Sequence, residues 1–561
     1  MNRDMNMAQK IHAMAEDHTA QETGPAMEAG SATETGPATE AGSTTEAGPA
    51  AEAGSATEAG LTTEAGSTTE AGSTTEAGST TETGPAAEAG SAAEAGSTTE
   101  AGSIQDLSVE PETGNQITEG VIWQQLLLFF FPILFGTFFQ QLYNTVDAIV
   151  VGRFVGKEAL AAVGGSTGTL INLLVGFFVG LSSGATVIIS QYYGAKRGDK
   201  VGYAVHTSVA FALTCGAAMM ILGIAGAPAA LRAMGTPDDI MAHAVLYIRV
   251  YFIGIIPNLI YNMGSGILRA VGDSKRPLYF LIASCLTNIV LDILFVVVLH
   301  MGVLGAALAT ILSQAVSSVL VLLVLTKTKE IYRLVFKDIR LDSRMLKRII
   351  RIGLPAGLQS VMYSLSNIII QAGVNGLGTD TIAAWTAYGK IDSVFWMVIN
   401  AFGISVTTFV GQNYGAGKMD RVKKGIRVCL GMCVAASTLL TGFLYVFGEP
   451  IFMIFTTDTA VLEVGMEILH FLVPTFITYV AIEIYSGSLR GVSDCWIPML
   501  ITCIGICGLR VVWILAAVPL KPDIKTVIFS YPLTWVITSI LFIIYFHRFS
   551  RLSGKGRNAY S

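Results

Sequence analysis

The chain has 561 residues, of which 52% are hydrophobic and only 14% charged, with a formal charge of −6. Soluble domains carry roughly a quarter charged residues, so this composition excludes an ordinary soluble enzyme and points to the membrane. The net charge belongs to one end: residues 1–103 hold 17 of the 41 acids and only Arg3 and Lys10 among the bases, which leaves residues 104–561 at +9.

The first element in chain order is a tail, residues 1–119. Within about 20–103, from Glu22 to Glu100, a glutamate recurs every six residues in units such as EAGSTT and EAGPAA. A six-residue period suits a parallel β-helix only if each unit supplies a bulky aliphatic residue for the core. Apart from Met27 and Leu61 these units supply none, so disorder is expected. The first twenty residues are polar and lack the apolar stretch of a secretory signal.

From about residue 120 one apolar stretch follows another, each long enough to cross a bilayer as a helix. Twelve spans are predicted, at about 121–151, 158–190, 202–227, 239–268, 277–299, 302–326, 345–376, 381–411, 424–447, 460–489, 496–519 and 524–547. The expected fold is an all-α polytopic membrane protein. An amino lobe (120–326) joins a carboxyl lobe (345–548) through a linker (327–344), and a basic C-terminus (549–561) follows. With an internal amino terminus, 25 of the 33 bases beyond the tail fall in inside loops and five in outside loops. The positive-inside rule then places both termini in the cytoplasm.

The halves repeat. QYYGAKRGDKV at 191–201 returns as QNYGAGKMDRV at 412–422, and SGILRAVGDSKRP at 265–277 returns as SGSLRGVSDCWIP at 486–498, both by the same displacement along the chain. Pro132 and Asn144 match Pro355 and Asn367 at a displacement only slightly longer. Six spans per half is an even number, so the halves share an orientation and a pseudo-two-fold axis along the membrane normal.

Ionisable residues at membrane depth cost about 2.5–3.5 kcal/mol each on insertion scales and mark function. In the first span Asp147 follows Asn144 by three residues and Gln140 by seven, spacings that share a helical face. In the fifth span Asn288 and Asp292 are four apart, in the sixth Thr310 and Gln314 are four apart, and the fourth supplies Tyr247. If these faces meet, the amino lobe holds a polar pocket with two carboxylates, suited to a proton or a small cation such as sodium at Asp147 and Asp292. The displacement of the paired motifs puts Leu509 and Trp513 at the positions of Asn288 and Asp292, so coupling is expected in the first lobe. The second lobe has its own outliers, Lys390, Asp392, Glu483 and Arg510; Lys390 and Asp392 fall on different helical faces and are not expected to pair.

Trp396 and Met397 beside Asn400, with Phe177 in the corresponding second span, suggest an aromatic and thioether wall for flat organic cations. Packing against lipid or core is the competing explanation for the same residues. An intramembrane enzyme would need a nucleophile and base, or metal ligands, converging at depth. The seven histidines show no H-x-x-x-H spacing, Cys429/Cys433 and Cys503/Cys507 read as buried small residues, and no G-x-x-x-x-G-K-[ST] is present.

Taken together, FPILFGTFFQQLYNTVDAIVVG opening the first half, GLPAGLQSVMYSLSNIII opening the second, the paired QxYGA loops and LRAVGDSKRP with LRGVSD resemble the multidrug and toxic compound extrusion (MATE) family over about residues 120–548. The resemblance implies a secondary antiporter that exports organic cations or amphipathic toxins in exchange for protons or sodium by alternating access. The Asp147, Asn288, Asp292, Thr310 and Tyr247 set is similar to the amino-lobe cation site of the DNA-damage-inducible-F-like branch. Gln140, Asn144, Gln314, Phe177, Trp396, Met397 and Asn400 are the expected substrate cleft. Another branch carries a glutamate in the seventh span, where this chain has Tyr363, so the resemblance does not extend to a carboxyl-lobe sodium site. No enzymatic activity, cofactor or nucleic-acid partner is expected, and a monomer in the bacterial inner membrane is. The alternative is a lipid-linked oligosaccharide or lipid flippase of the same superfamily; holding a pyrophosphate-linked sugar would need a more cationic central cavity than expected of a chain whose bases lie mainly in loops.

Overall fold

The apolar stretches become helices, with stops where the sequence supplies caps and breaks. The structure, a computed structural model, describes residues 116–553; the expected disordered repeat tail and residues 554–561 lie outside them. The first half contains α1 (Ile122–Phe154), α2 (Lys157–Gly164), α3 (Ser166–Gly194), α4 (Gly198–Ala233), α5 (Asp238–Ile253), α6 (Ile255–Ala270), α7 (Lys275–Asp292) and α8 (Gly302–Lys327). The second contains α9 (Ser343–Asn375), α10 (Thr379–Gly415), α11 (Met419–Met453), α12 (Thr459–Leu472), α13 (Ile477–Gly491), α14 (Trp496–Thr502), α15 (Leu509–Ala517) and α16 (Ile524–Arg548). Asp342 caps α9 by accepting a hydrogen bond from Met345 N at 2.7 Å, and Asp458 caps α12 by accepting from Ala460 N at 2.9 Å.

Ten stretches among the described residues are long and apolar enough to cross a membrane, and α5 with α6, bent by 48° at Gly254, makes an eleventh. The twelfth predicted span is α9, which has 33 residues but is less apolar. One of its faces carries Gln359, Ser360, Tyr363, Asn367 and Gln371 and lines a cavity. The fourth and tenth spans break at matching places, the tenth where the 3-10 turn Val473–Phe476 separates α12 from α13. Large apolar side chains such as Leu439, Val446, Ile454 and Ile504 stand exposed on the outside, the belt that lipid would cover.

The duplication is written into the backbone. Lys196 and Gly417, equivalent positions of the two halves, both take left-handed φ, at 55° and 73°. Gly272 and Ser493, likewise equivalent, do the same at 102° and 62°. Each left-handed residue ends a helix, and Asp273 N and Asp494 N reach back to Leu268 O and Leu489 O at 2.9 Å in the same six-to-one closure.

Close packing joins the halves. Gly176, Gly180 and Gly184 line one face of α3, and Gly353 and Gly357 face them from α9. A Cβ on Gly180 would stand 2.6 Å from Gly357 N, and one on Gly184 would overlap Ile349 O. Small residues at four-residue spacing let two helix backbones touch, the main way helices associate where lipid removes the hydrophobic drive. The opening of α1 joins the second-half core, with Phe130 stacked on Phe402 at 4.2 Å.

The base-rich ends are tied reciprocally. Gln191 Nε2 donates to Gly491 O at 2.7 Å and Ser493 Oγ at 2.9 Å, while Gln412 Nε2 donates to Ala270 O at 2.7 Å. These are the glutamines of the two QxYGA loops, and each crosses to the other half. The segment before α1 is pinned beside them. Arg421 donates to the carbonyls of Gly120 at 2.9 Å, Glu119 at 2.7 Å and Ile117 at 3.3 Å, and Lys418 Nζ donates to Thr118 O at 3.0 Å.

Candidate functional site

The polar faces predicted for the first half meet. α7 packs against both α1 and α8, and α8 packs against α5. Asn288 and Asp292 are fully buried, Asp147 is 8% exposed, and Tyr247, Thr310 and Gln314 are buried around them. Tyr247 lies within interaction range of Asp147 and Thr310, and Asp147 within range of Asp292. Asp147 Oδ1, both oxygens of Asp292, both polar atoms of Asn288 and Gln314 Oε1 are buried with no hydrogen-bond partner among the described residues. Buried polar atoms are nearly always paired, because an unpaired one costs about 1–3 kcal/mol. Six such atoms, four of them on α7 side chains and five of them oxygens, gather buried polar groups on the packed faces of α1, α7 and α8. Immediately after Asp292 the helix widens into a π-turn, Ile293–Val298, an irregularity that recurs at functional sites.

Two residues of this pocket escaped the sequence reading. Tyr143 on α1 neighbours Asp147, Gln140 and Gln314, and Tyr251 on α5 neighbours Tyr143 and Gln314. Their signal was spacing: Tyr143 stands four before Asp147 and Tyr251 four after Tyr247. Asn144, expected on the Asp147 face, is exposed, and its Nδ2 donates to Gln141 Oε1 at 3.4 Å. At about 100° per residue Asn144 sits about 60° from Asp147, whereas Tyr143 sits about 40° away on the other side.

A second site lies mainly in the second half, a cavity of about 900 Å³. Helical periodicity builds its walls: Trp385, Tyr388, Asp392, Trp396 and Asn400 form one stripe of α10, Tyr479, Glu483 and Arg490 one of α13, and Tyr531 with Trp535 one of α16. Trp396 and Tyr479 meet at 4.8 Å between ring centroids, Tyr479 and Trp535 at 5.6 Å, and Tyr531 and Trp535 at 5.4 Å. Asp392 is engaged with this wall, Oδ2 accepting from Trp396 Nε1 at 2.7 Å and Oδ1 from Tyr388 OH at 3.4 Å. Lys390 is exposed and takes no part.

Of the expected cleft residues, Gln140, Trp396 and Asn400 line this cavity, while Asn144, Gln314, Phe177 and Met397 do not. Gln314 belongs to the first-half pocket. Phe177 packs along Gly357 at the α3–α9 contact, because its position one residue after Gly176 turns it into the seam. Met397 directly follows Trp396, and one step of about 100° carries it away from the cavity stripe.

The MatE family model matches residues 132–294 and 355–515, more than half of the chain. The two matches begin at Pro132 and Pro355 and end at Leu294 and Leu515, pairs related by the displacements of the repeated motifs. The probable multidrug resistance protein YoeA of Bacillus subtilis (strain 168) is 29% identical over 79% of this chain and 97% of its own length. The probable multidrug resistance protein YpnP of the same organism is 30% identical over 63% of this chain and 79% of its own. A solved structure described as the outward-facing conformation of a multidrug resistance MATE family transporter of the MOP superfamily superposes with a TM-score of 0.73 at 22% identity, covering 78% of this chain and 97% of that one.

Proposed function

Because the chain belongs to the MATE family of efflux transporters, we propose that it exports small amphipathic compounds, organic cations among them, through the cavity that lies mainly in its second half, in exchange for a proton or sodium ion. The observation that carries the coupling site is the pair Asp147 and Asp292, buried in apolar helices with Asn288 and holding oxygens that no donor among the described residues satisfies. Binding a proton or Na⁺ neutralises charge in a low-dielectric pocket, and its release restores that charge, so the first half prefers different packings in the two states. Such a site resembles the amino-lobe cation site of the DNA-damage-inducible-F-like branch.

The 900 Å³ cavity, walled by aromatic rings and entered by Gln140 of α1, supplies the substrate's surroundings. Its acids Asp392 and Glu483 stand against its bases Arg490 and Arg510. That balance supports a small amphipath over a pyrophosphate-linked lipid. Closure by Gln191 and Gln412 at the base-rich face, which positive-inside bias assigns to the cytoplasm, corresponds to an outward-directed state. Exchange of one proton for one monovalent cation is electroneutral and draws on the pH difference alone, whereas each net charge moved adds about 2.3 kcal/mol per 100 mV.

The test is efflux from proteoliposomes under imposed pH or sodium gradients. Asp147→Asn and Asp292→Asn are expected to abolish the gradient-driven component. Undiminished gradient-driven efflux in both would overturn the site, and lipid scrambling without movement of any small compound would favour the flippase.

A further inference from the structure

We propose that Arg510 is the anion-recognising residue of the second-half cavity, so that the compounds this chain moves include ones that carry a carboxylate or comparable anionic group on a planar aromatic frame. The proposal rests on the cavity being the substrate's and adds which chemistry it selects.

Arg510 stands in the first turn of α15, lines the cavity and is only 3% exposed. Its guanidinium lies 4.0 Å over the Tyr531 ring, and Nη2 donates to Thr534 Oγ1 at 3.2 Å. Its Nε is buried with no partner. None of the four ion pairs among the described residues includes Arg510. A guanidinium offers five N–H donors, and the protein satisfies few of these. Asp392 of the same wall lies within electrostatic range of Arg510, but no carboxylate among the described residues reaches the guanidinium directly, which leaves its fork for a ligand's anion.

The cavity's own acids are placed to do something else. Both oxygens of Asp392 accept from the Trp396 and Tyr388 side chains, and Glu483 rests against Gly403, where a Cβ would overlap it. They remain available at longer range to a cationic substituent on the same compound. The planar guanidinium fork matches a carboxylate bidentately, and Trp385, 6.0 Å from the Tyr531 ring that Arg510 covers, puts further aromatic surface on the same cavity wall. A cavity of about 900 Å³ has room for such a compound.

The duplication sharpens the point. In the first half the π-turn Ile293–Val298 adjoins Asp292; in the second the π-turn Cys503–Gly508 stands just before Arg510. The position equivalent to Arg510 is Ile289, so the fifth spans of the two halves carry opposite charges at their irregular turns. A carboxylate site for the coupling ion and a guanidinium site for the cargo need not compete for one ligand.

The experiment uses the full chain in lipid nanodiscs and reads quenching of tryptophan fluorescence by three probes of one shape: 2-naphthoate, 2-naphthamide and 2-naphthylmethylammonium. A charge-assisted bidentate contact predicts that the carboxylate binds about 10- to 100-fold tighter than the amide. Arg510→Gln is expected to collapse that ratio to about one, while Arg510→Lys, which keeps the charge and loses the fork, retains part of it. Should Arg510→Gln fail to fold, the wild-type ratio together with Arg510→Lys decides. Equal wild-type affinity for carboxylate and amide, preference for the ammonium probe over the carboxylate, or an unchanged ratio in a folded Arg510→Gln protein overturns the role of Arg510. No quenching by any of the three overturns the cavity as the substrate site, a different failure.

Discussion

The two QxYGA glutamines are positioned to set how readily the base-rich face opens. Gln191→Ala removes two hydrogen bonds, to Gly491 O and Ser493 Oγ; Gln412→Ala removes one, to Ala270 O. At about 0.5–1.5 kcal/mol per bond, the first substitution disfavours closure by about 1–3 kcal/mol and the second by about half that. If the two contributions add, the double variant shifts the equilibrium toward opening by about 1.5–4.5 kcal/mol, or between about tenfold and two-thousandfold. Spin labels on exposed Lys196 of the first half and exposed Lys423 of the second, in a background freed of the native cysteines, would read the distance across that face by double electron–electron resonance. The expected result is a new long-distance population, larger in Gln191→Ala than in Gln412→Ala and largest in the double variant. Unchanged distributions in all three would show that glycine packing at Gly194 and Gly415, where a Cβ would overlap the Gln412 and Gln191 carbonyls, holds the face closed without the amides.

The segment ahead of α1 should loosen in Arg421→Ala, which removes donors to the Gly120, Glu119 and Ile117 carbonyls. Faster hydrogen exchange across Ile117–Gly120 and a loss of about 1.5–3 kcal/mol are expected, and unchanged protection would refute the tie. Gly184→Val places methyl groups on the backbone of Ile349 and Gly353 and should cost about 1–3 kcal/mol or more, visible as lost monodisperse protein and a lower Tm. Gly226→Ala on α4, with nothing within 4 Å of its added Cβ, should leave both measures intact or slightly improved. Equal behaviour of the two glycine variants would refute close approach as the reason for glycine at 184.

Much of the buried carboxylate cluster was legible because helical spacing is local. Four-residue separation puts Asn288 and Asp292 on one face whatever the rest of the chain does, and a carboxylate in an apolar run has few structural uses. The same rule overreached at Asn144, where three helical steps leave the amide to one side of Asp147 and exposed. It also passed over Tyr143 and Tyr251, since tyrosines in membrane helices carry no mark that separates pocket from packing. The cleft residues fared worse. Trp396 and Asn400 share a stripe with Trp385, Tyr388 and Asp392, whereas Phe177 and Met397, chosen for their chemistry, sit off it.

By itself the sequence determined the membrane class, the all-helical plan of serial apolar spans, the duplication and the acidic face of the first half, because composition, span length and repeat offset do not depend on which helix meets which. Only the tertiary structure decided that α9 is polar because it lines a cavity, that Arg510 stands there over Tyr531 in none of the ion pairs among the described residues, and that Gln191 and Gln412 cross to opposite halves. These depend on contacts between residues as much as 302 positions apart, and no local periodicity carries information over that distance.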